Sequence, residues 1–156
     1  MSASVTVRAA DLHDVPILVD FNRAMAAESE GKALNNGSLQ CGVAYLMEHP
    51  AEGFYLVAEL LEQPNAAVAG ALLVTFEWSD WRNGRFWWIQ SVYVTPAHRR
   101  KGVYSTLHEA VRNRASQDLQ ACGIRLYVEK ENDGAQAAYS SLGMTQTAYR
   151  LYEEEF

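Results

Sequence analysis

The sequence predicts an α+β fold with a mixed, mostly antiparallel central sheet flanked by helices. Three features predict it. Between residues 54 and 94, three strand-like runs follow one another with turn residues between them. Apolar residues at helical spacing stand on both sides of that block. The succession strand, helix, strand across residues 85–129 demands a crossover, and hence a parallel pair inside the sheet.

The elements follow in order. Val5, Thr6, Val7 and Arg8 alternate as a short strand. Asp11 is placed as an N-cap, with Asp14 in the first turn, where a carboxylate suits the helix dipole. Val15, Leu18, Phe21 and Met25 recur at three- and four-residue spacing, so residues 12 to about 27 read as an amphipathic helix. Ser38 caps a second helix with Val43, Leu46 and Met47 inward, ending near His49 and Pro50. Residues 54–61 form a strand, and Glu62, Gln63, Pro64 and Asn65 supply turn chemistry. A long strand covers 66–78, and Asn83-Gly84 is a two-residue hairpin signal leading into a strand over 85–94. Gly102 opens a long helix carrying Val103, Leu107, Val111 and Ala115 and ending before Gly123. Residues 124–129 read as a strand, 135–142 as a short helix, and 145–152 as a last strand. The order is β-α-α-β-β-β-α-β-α-β.

Composition narrows the function classes. A chain of 156 residues fits one domain, 1–156. With 49% hydrophobic and 21% charged residues it is a folded chain, not a disordered one. No apolar run reaches the roughly 20 residues that span a bilayer, and the N-terminus has no basic-then-apolar leader. A cytoplasmic protein without a membrane partner is expected. The formal charge of −6 argues against nucleic acid and mildly favours a cationic partner. Cys41 and Cys122 are too few and too far apart for a disulfide or metal framework, and His13, His49, His98 and His108 lack ligand spacing, so no metal is expected.

The stretch from Trp88 to Leu107 carries the most chemistry. A strand stops, Arg99, Arg100 and Lys101 follow, and Gly102 starts a helix. The first N–H groups of a helix have no partner within it, and its dipole end is positive. Such a loop suits a phosphate or pyrophosphate, although a solvated basic loop before an ordinary helix has the same local composition. It lacks the Gly-Lys-Ser/Thr of a Walker loop, and Gly102 stands alone where a dinucleotide fingerprint has three glycines.

This run resembles motif A of the GNAT superfamily of acetyl-CoA-dependent N-acetyltransferases. The family's Arg/Gln-x-x-Gly-x-Gly/Ala loop is met by Arg99, Arg100, Lys101, Gly102, Val103 and Tyr104, and the departure is Tyr104, where a small residue is usual. The segment from Leu126 to Met144 resembles motif B, with Asn132, Ala135, Tyr139 and Gly143-Met144 in matching order. The resemblance covers residues 54–152 and, more loosely, the first helices. It is nearest to the diamine (spermidine/spermine) acetyltransferases through the Glu77–Gly84 region, although Gln90 and Ser91 stand where those enzymes have acids.

The resemblance implies the following roles. Val92, Tyr93 and Val94 offer backbone groups to the pantetheine arm of acetyl-CoA, and an amide near Val92 bonds the thioester carbonyl as an oxyanion-type donor. Arg99, Arg100, Lys101, Gly102, Val103, Tyr104 and Ser105 hold the pyrophosphate, largely through main chain. Asn132 reaches the cofactor and Ala135 leaves room for it. Tyr139, which read alone is a half-buried helix aromatic, is the general acid for the departing thiolate. Gln90 cannot act as a base. Glu28 or Glu30 can relay the amine's proton through water, or can be solvated helix-end acids. Trp78, Trp81, Trp87 and Trp88 can shape an acceptor pocket, but Trp87 and Trp88 point to opposite faces. The partners implied are acetyl-CoA and a small cationic amine, with a homodimer allowed. A non-catalytic acyl-CoA-binding module and a protein N-terminal or lysine acetyltransferase remain as alternatives.

Overall fold

The computed structural model describes residues 4–62 and 67–156. Described residues as far as Leu126 form one compact unit, and Tyr127–Phe156 form a second. In the first unit, β1 (Val5–Ala9), β2 (Gly53–Leu60), β3 (Ala67–Ser79), β4 (Gly84–Val94) and β5 (Ala121–Leu126) lie side by side in sequence order. The first three pairings are antiparallel and β4–β5 is parallel, which is the mixed sheet expected from the crossover.

Strand alternation divides the apolar residues between two faces. Leu56, Ala58 and Leu60 of β2, with Leu72 and Val74 of β3, meet Val103, Leu107 and Val111 of α3 (Val103–Gln117). Tyr55, Val57 and Ala71 turn the other way, onto Val15, Leu18 and Phe21 of α1 (Val15–Glu30) and Val43 of α2 (Asn36–Glu48). Asp11 caps the chain's entry to α1 as expected. Its side chain accepts from His13 N, while Asp14 accepts from Asp11 N at 2.8 Å.

Several boundaries differ from the sequence reading. Asn35, not Ser38, caps α2, because its Oδ1 accepts the Ser38 N–H at 2.9 Å. The β3–β4 hairpin has a four-residue loop, since Ser79 pairs with Gly84 and Gly84 is already in the strand. Asn83, at φ 46°, is the left-handed loop residue. Gly84 is small because a Cβ there would lie 2.7 Å from Gln120 O. Helix α3 ends at Gln117, well before Gly123, and β5 starts at Ala121, earlier than the expected 124. Gly123 serves packing: the Phe86 ring lies 2.8 Å from where its Cβ would be. The turn expected at 62–65 falls largely outside the described residues, as does Ala66.

In the second unit, α4 (Asp133–Ser141) begins and ends near the expected 135 and 142. The strand expected over 145–152 does not form: these residues carry no ladder, and Tyr149, Leu151 and Tyr152 are exposed. Alternation shows only which residues suit a strand, and a strand also needs a neighbouring backbone to pair with.

Candidate active site

The site is built around the end of β4. Parallel pairing with β5 stops at Ile89–Leu126, so among the described residues no strand pairs with Gln90–Val94 on that side. Among these, Val92, Tyr93 and Val94 are the residues whose main-chain groups the sequence reading assigned to the pantetheine arm. On the β3 side, Leu73 pairs with Ser91 and Val74 with Ile89, which leaves Gln90 as the extra residue of a β-bulge. The bulge reverses the alternation. Trp87 and Ile89 face the α3-side core, and beyond the bulge Val92 and Val94 do so, while Tyr93 packs toward α1. Without the bulge, Val92 and Val94 would face the other way.

Trp87 belongs to the core. Its ring meets Phe54 and Phe76 edge-on at 5.4 and 5.5 Å, and its indole N–H donates to Asp118. Trp78 and Trp81 are exposed on the hairpin, Trp81 at 87%. Gln90 donates to Thr75 Oγ1 at 2.8 Å.

The loop after β4 is shaped for an anion. Arg100 has φ 62°, uncommon for a residue with a Cβ, and Gly102 has φ 82°. Left-handed residues alternating in a tight loop turn successive N–H groups toward one concavity. Gly102 occupies the N-cap of α3 and supplies no side-chain cap. Ser105 and Thr106 direct their hydroxyls back to Gly102 O, at 2.9 and 2.8 Å. Those hydroxyls brace the carbonyl and leave the first-turn N–H groups uncapped by side chains. Arg100 and Lys101 are exposed at the same place.

Tyr104 turns along the helix and shares a 3.0 Å hydrogen bond with His108 Nδ1. Its ring also packs against the α3-side core. The bulky residue at this position thus has a place in the helix packing. His108 itself is buried, and burial together with the Arg112 charge pushes its pKa down.

Arg99 is engaged elsewhere than the rest of its loop. Its Nε donates to Val94 O at 2.9 Å and its Nη2 to Glu28 Oε2 at 2.7 Å. Tyr93 donates its hydroxyl to the other Glu28 oxygen at 3.3 Å, and the Arg99 guanidinium stands over the Tyr93 ring. Burial and the Glu28 charge push the Tyr93 pKa up. The structure therefore brings together Glu28, Tyr93 and Arg99, which the sequence reading had placed in separate roles.

A small pocket opens between α1 and the sheet, lined by Leu18, Phe21, Asn22, Met25, Tyr55, Ala71, Ser91 and Tyr93. Tyr55 and Asn22 are 33 positions apart in sequence, and nothing local in either segment marks them as a pair. Sequence reasoning missed both.

In the second unit, Asn132 caps α4, its Oδ1 accepting from Ala135 N at 3.1 Å. Tyr139 lies on α4, and burial pushes its pKa up, so its phenol keeps its proton. Among the described residues no group of His, Cys, Asp and Glu could hold a metal, and no helix is long and apolar enough to cross a membrane.

Comparison with known proteins bears on the fold and the family. The model of the acetyltransferase (GNAT) family matches residues 22–144. A solved structure described as "a possible acetyltransferase" from Clostridium difficile 630 is 41% identical, with 97% of each chain covered and a TM-score of 0.87. A ribosomal-protein-alanine N-acetyltransferase from Brucella melitensis biovar Abortus 2308 is 14% identical, covering 98% of this chain and 100% of that one, with a TM-score of 0.73. Aminoglycoside N-acetyltransferase AAC(6')-Iy, solved with CoA, is 11% identical over 99% and 97% of the two chains, with a TM-score of 0.76. At such identities the last two show the shared fold alone. No curated protein matches the chain.

Proposed function

The chain belongs to the acetyltransferase (GNAT) family, and on that premise we propose that it carries acetyl from acetyl-CoA directly to the nitrogen of a small cationic amine. The observation that carries the proposal is the loop at the head of α3. Left-handed Arg100 and Gly102, an uncapped helix start and two exposed cations suit a pyrophosphate. The family match runs from residue 22 to 144 and so includes both compact units, which supports taking 1–156 as one catalytic domain.

In this reading Arg100 to Ser105 hold the pyrophosphate, and the main chain of Val92, Tyr93 and Val94 holds the pantetheine arm. The Val92 amide meets the charge that develops on the thioester oxygen. The amine's lone pair forms the new C–N bond, the C–S bond breaks, and the electron pair leaves on sulfur. Tyr139 then supplies a proton to the thiolate, a task that suits a phenol kept protonated by burial. By resemblance to motif B, Asn132 and Ala135 are assigned to the cofactor as well. Arg99 contributes less charge to the pyrophosphate than its neighbours, because Glu28 already neutralises it. Glu28 attracts the ammonium and passes its proton through water to solvent.

The acidic chain, at −6, and the Glu28 carboxylate support a cationic acceptor. A diamine meets that description, and the tryptophan-bearing Glu77–Gly84 segment is what resembles the diamine acetyltransferases. The test is a panel of amines, diamines and peptides incubated with acetyl-CoA and read by thiol release, with CoA binding measured calorimetrically. CoA binding with turnover on small cationic amines is the expected result. CoA binding with no turnover on any amine would favour a non-catalytic acyl-CoA module.

A further inference from the structure

The pocket between α1 and the sheet gathers three side chains that can hydrogen-bond a ligand. Tyr55, on β2, is only 5% exposed, and its hydroxyl oxygen accepts from Asn22 Nδ2 at 3.3 Å. The same Nδ2 donates to Leu18 O at 2.9 Å. A carbonyl cannot accept from another oxygen acceptor, so this bond fixes which end of the Asn22 amide is nitrogen. Asn22 Oδ1 is left as an acceptor, and the Tyr55 hydroxyl proton is left to donate. Ser91, directly after the bulge in β4, lines the same pocket, with its hydroxyl in no hydrogen bond among the described residues. The rest of the lining is apolar, and the space admits a group about the size of a water molecule.

With Tyr55 donating, Asn22 Oδ1 accepting and the Ser91 hydroxyl able to accept, this small, mostly apolar site matches a particular partner. A neutral primary amine accepts once through its lone pair and donates twice through its N–H groups. An ammonium has three donors and no lone pair, so it would leave the Tyr55 proton facing a cation.

We propose that Tyr55, Asn22 and Ser91 form the binding site for the reacting nitrogen of the acceptor, and that this site takes a compact, unbranched primary amine as its neutral free base. The proposal rests on the acetyl-transfer reading above. The ionisable groups that face the site support a neutral ligand. From β2 there is Tyr55, whose pKa burial pushes up, and from β4 Tyr93, pushed up likewise. Both are uncharged at neutral pH. From α1 there is Glu28, beyond the Tyr93 hydroxyl and ion-paired with Arg99 at 2.7 Å. From β3 the lining residue is Ala71.

Entry to such a site favours the uncharged form of the amine, because its neutral walls replace water around the nitrogen. The ammonium leaves one proton with water near Glu28 as it enters. The lone pair then forms the C–N bond while the C–S bond breaks. The second nitrogen proton is released, and the thiolate gains one, so the overall products are the acetamide, the free thiol and one proton in solution. No carboxylate need reach the nitrogen itself, consistent with Gln90 and Ser91 standing where an acid would otherwise be.

Two variants test this on the best amine from the panel. Tyr55→Phe removes the donor and should raise KM for the amine about 5- to 10-fold, as loss of one hydrogen bond does, with KM for acetyl-CoA unchanged. Asn22→Asp places a carboxylate beside the nitrogen and stabilises the ammonium. The acid limb of the kcat–pH profile should then move up by about a unit or more. Calorimetric CoA affinity reports whether each variant is folded. If Asn22→Asp loses CoA binding, Ser91→Ala takes its place and should raise KM for the amine alone. An unchanged amine KM in Tyr55→Phe overturns the proposal, as does an unmoved kcat–pH profile in a folded Asn22→Asp. A wild-type protein that binds CoA and acetylates no amine overturns the acetyl-transfer reading and this site with it. Active wild type with silent variants overturns this site alone.

Discussion

Replacing Gly102 separates two contributions that the anion loop combines. Gly102 has φ 82°, and the nearest atom to an added Cβ is Ser105 Oγ at 3.7 Å, an ordinary contact. Gly102→Ala therefore meets no clash, and its cost is the left-handed backbone, about 1–2 kcal/mol. For a chain of this size that lowers Tm by a few degrees, at about 2–4 °C per kcal/mol. Gly102→Glu carries the same backbone cost, and a carboxylate at a helix N-terminus returns about 0.3–1 kcal/mol. The Glu variant should thus be no less stable than the Ala variant. The two should part company over CoA. A carboxylate about 4 Å from a phosphate charge costs about 1 kcal/mol in water and about 4 kcal/mol at an intermediate dielectric. Affinity for CoA should therefore be about 5- to 1,000-fold weaker in Gly102→Glu than in Gly102→Ala. Thermal melts and calorimetric titration of the three proteins read both quantities. Equal CoA affinity in the two variants would refute the assignment of the pyrophosphate to this loop, since charge at its centre would then not matter.

The features legible in the sequence were those with a local cause. Strand-like runs bounded by turn residues marked β1 to β5, three- and four-residue spacing found the helices, and Gly102 ahead of Val103, Leu107 and Val111 located the anion loop. The misreadings share another cause: a tertiary neighbour took over a residue with a strong local meaning. Gly123 looks like a helix stop, yet it lies inside β5 because the Phe86 ring needs the space. Gly84 looks like half of a hairpin turn, yet it sits in β4 beside Gln120 O. Gln90 gives no sign of a bulge, since neither it nor its neighbours is a glycine. The pocket was invisible for the same reason. Tyr55 reads as an ordinary strand aromatic until α1 lays Asn22 against its hydroxyl. Glu28 read as a proton relay or a solvated helix-end acid until Arg99, 71 positions away, claimed one oxygen and Tyr93 the other.

Further outcomes follow from individual side chains. Tyr139→Phe should leave CoA affinity nearly unchanged and slow turnover by about 10²-fold or more, as loss of a general acid does; steady-state kinetics on any working amine decide it, and wild-type turnover would mean that water protonates the thiolate. Asp14 is 5% exposed and takes both Arg8 nitrogens at 2.8 and 2.9 Å, which hold its pKa below the ordinary carboxylate value. It contributes stability at pH above about 4 that is lost as pH falls further. Asp14→Asn should cost about 1–3 kcal/mol at pH 7, with a smaller loss below pH 4 than wild type in urea unfolding. A second pH effect belongs to His108. It is 1% exposed, its Nδ1 is bonded to Tyr104, and its Nε2 has no hydrogen-bond partner among the described residues. Burial, then the Arg112 charge, holds its folded pKa below the ordinary histidine value of about 6.5. Between those two values the unfolded chain binds a proton that the folded one refuses, so stability must fall as pH drops below about 6.5. His108→Gln keeps a polar group near Tyr104 and cannot titrate. Urea midpoints at steps from pH 7.5 to 5 should decline in wild type and stay nearly level in His108→Gln over the same range. Parallel declines would mean that another group senses the acid and that His108 finds a proton acceptor when α3 is charged.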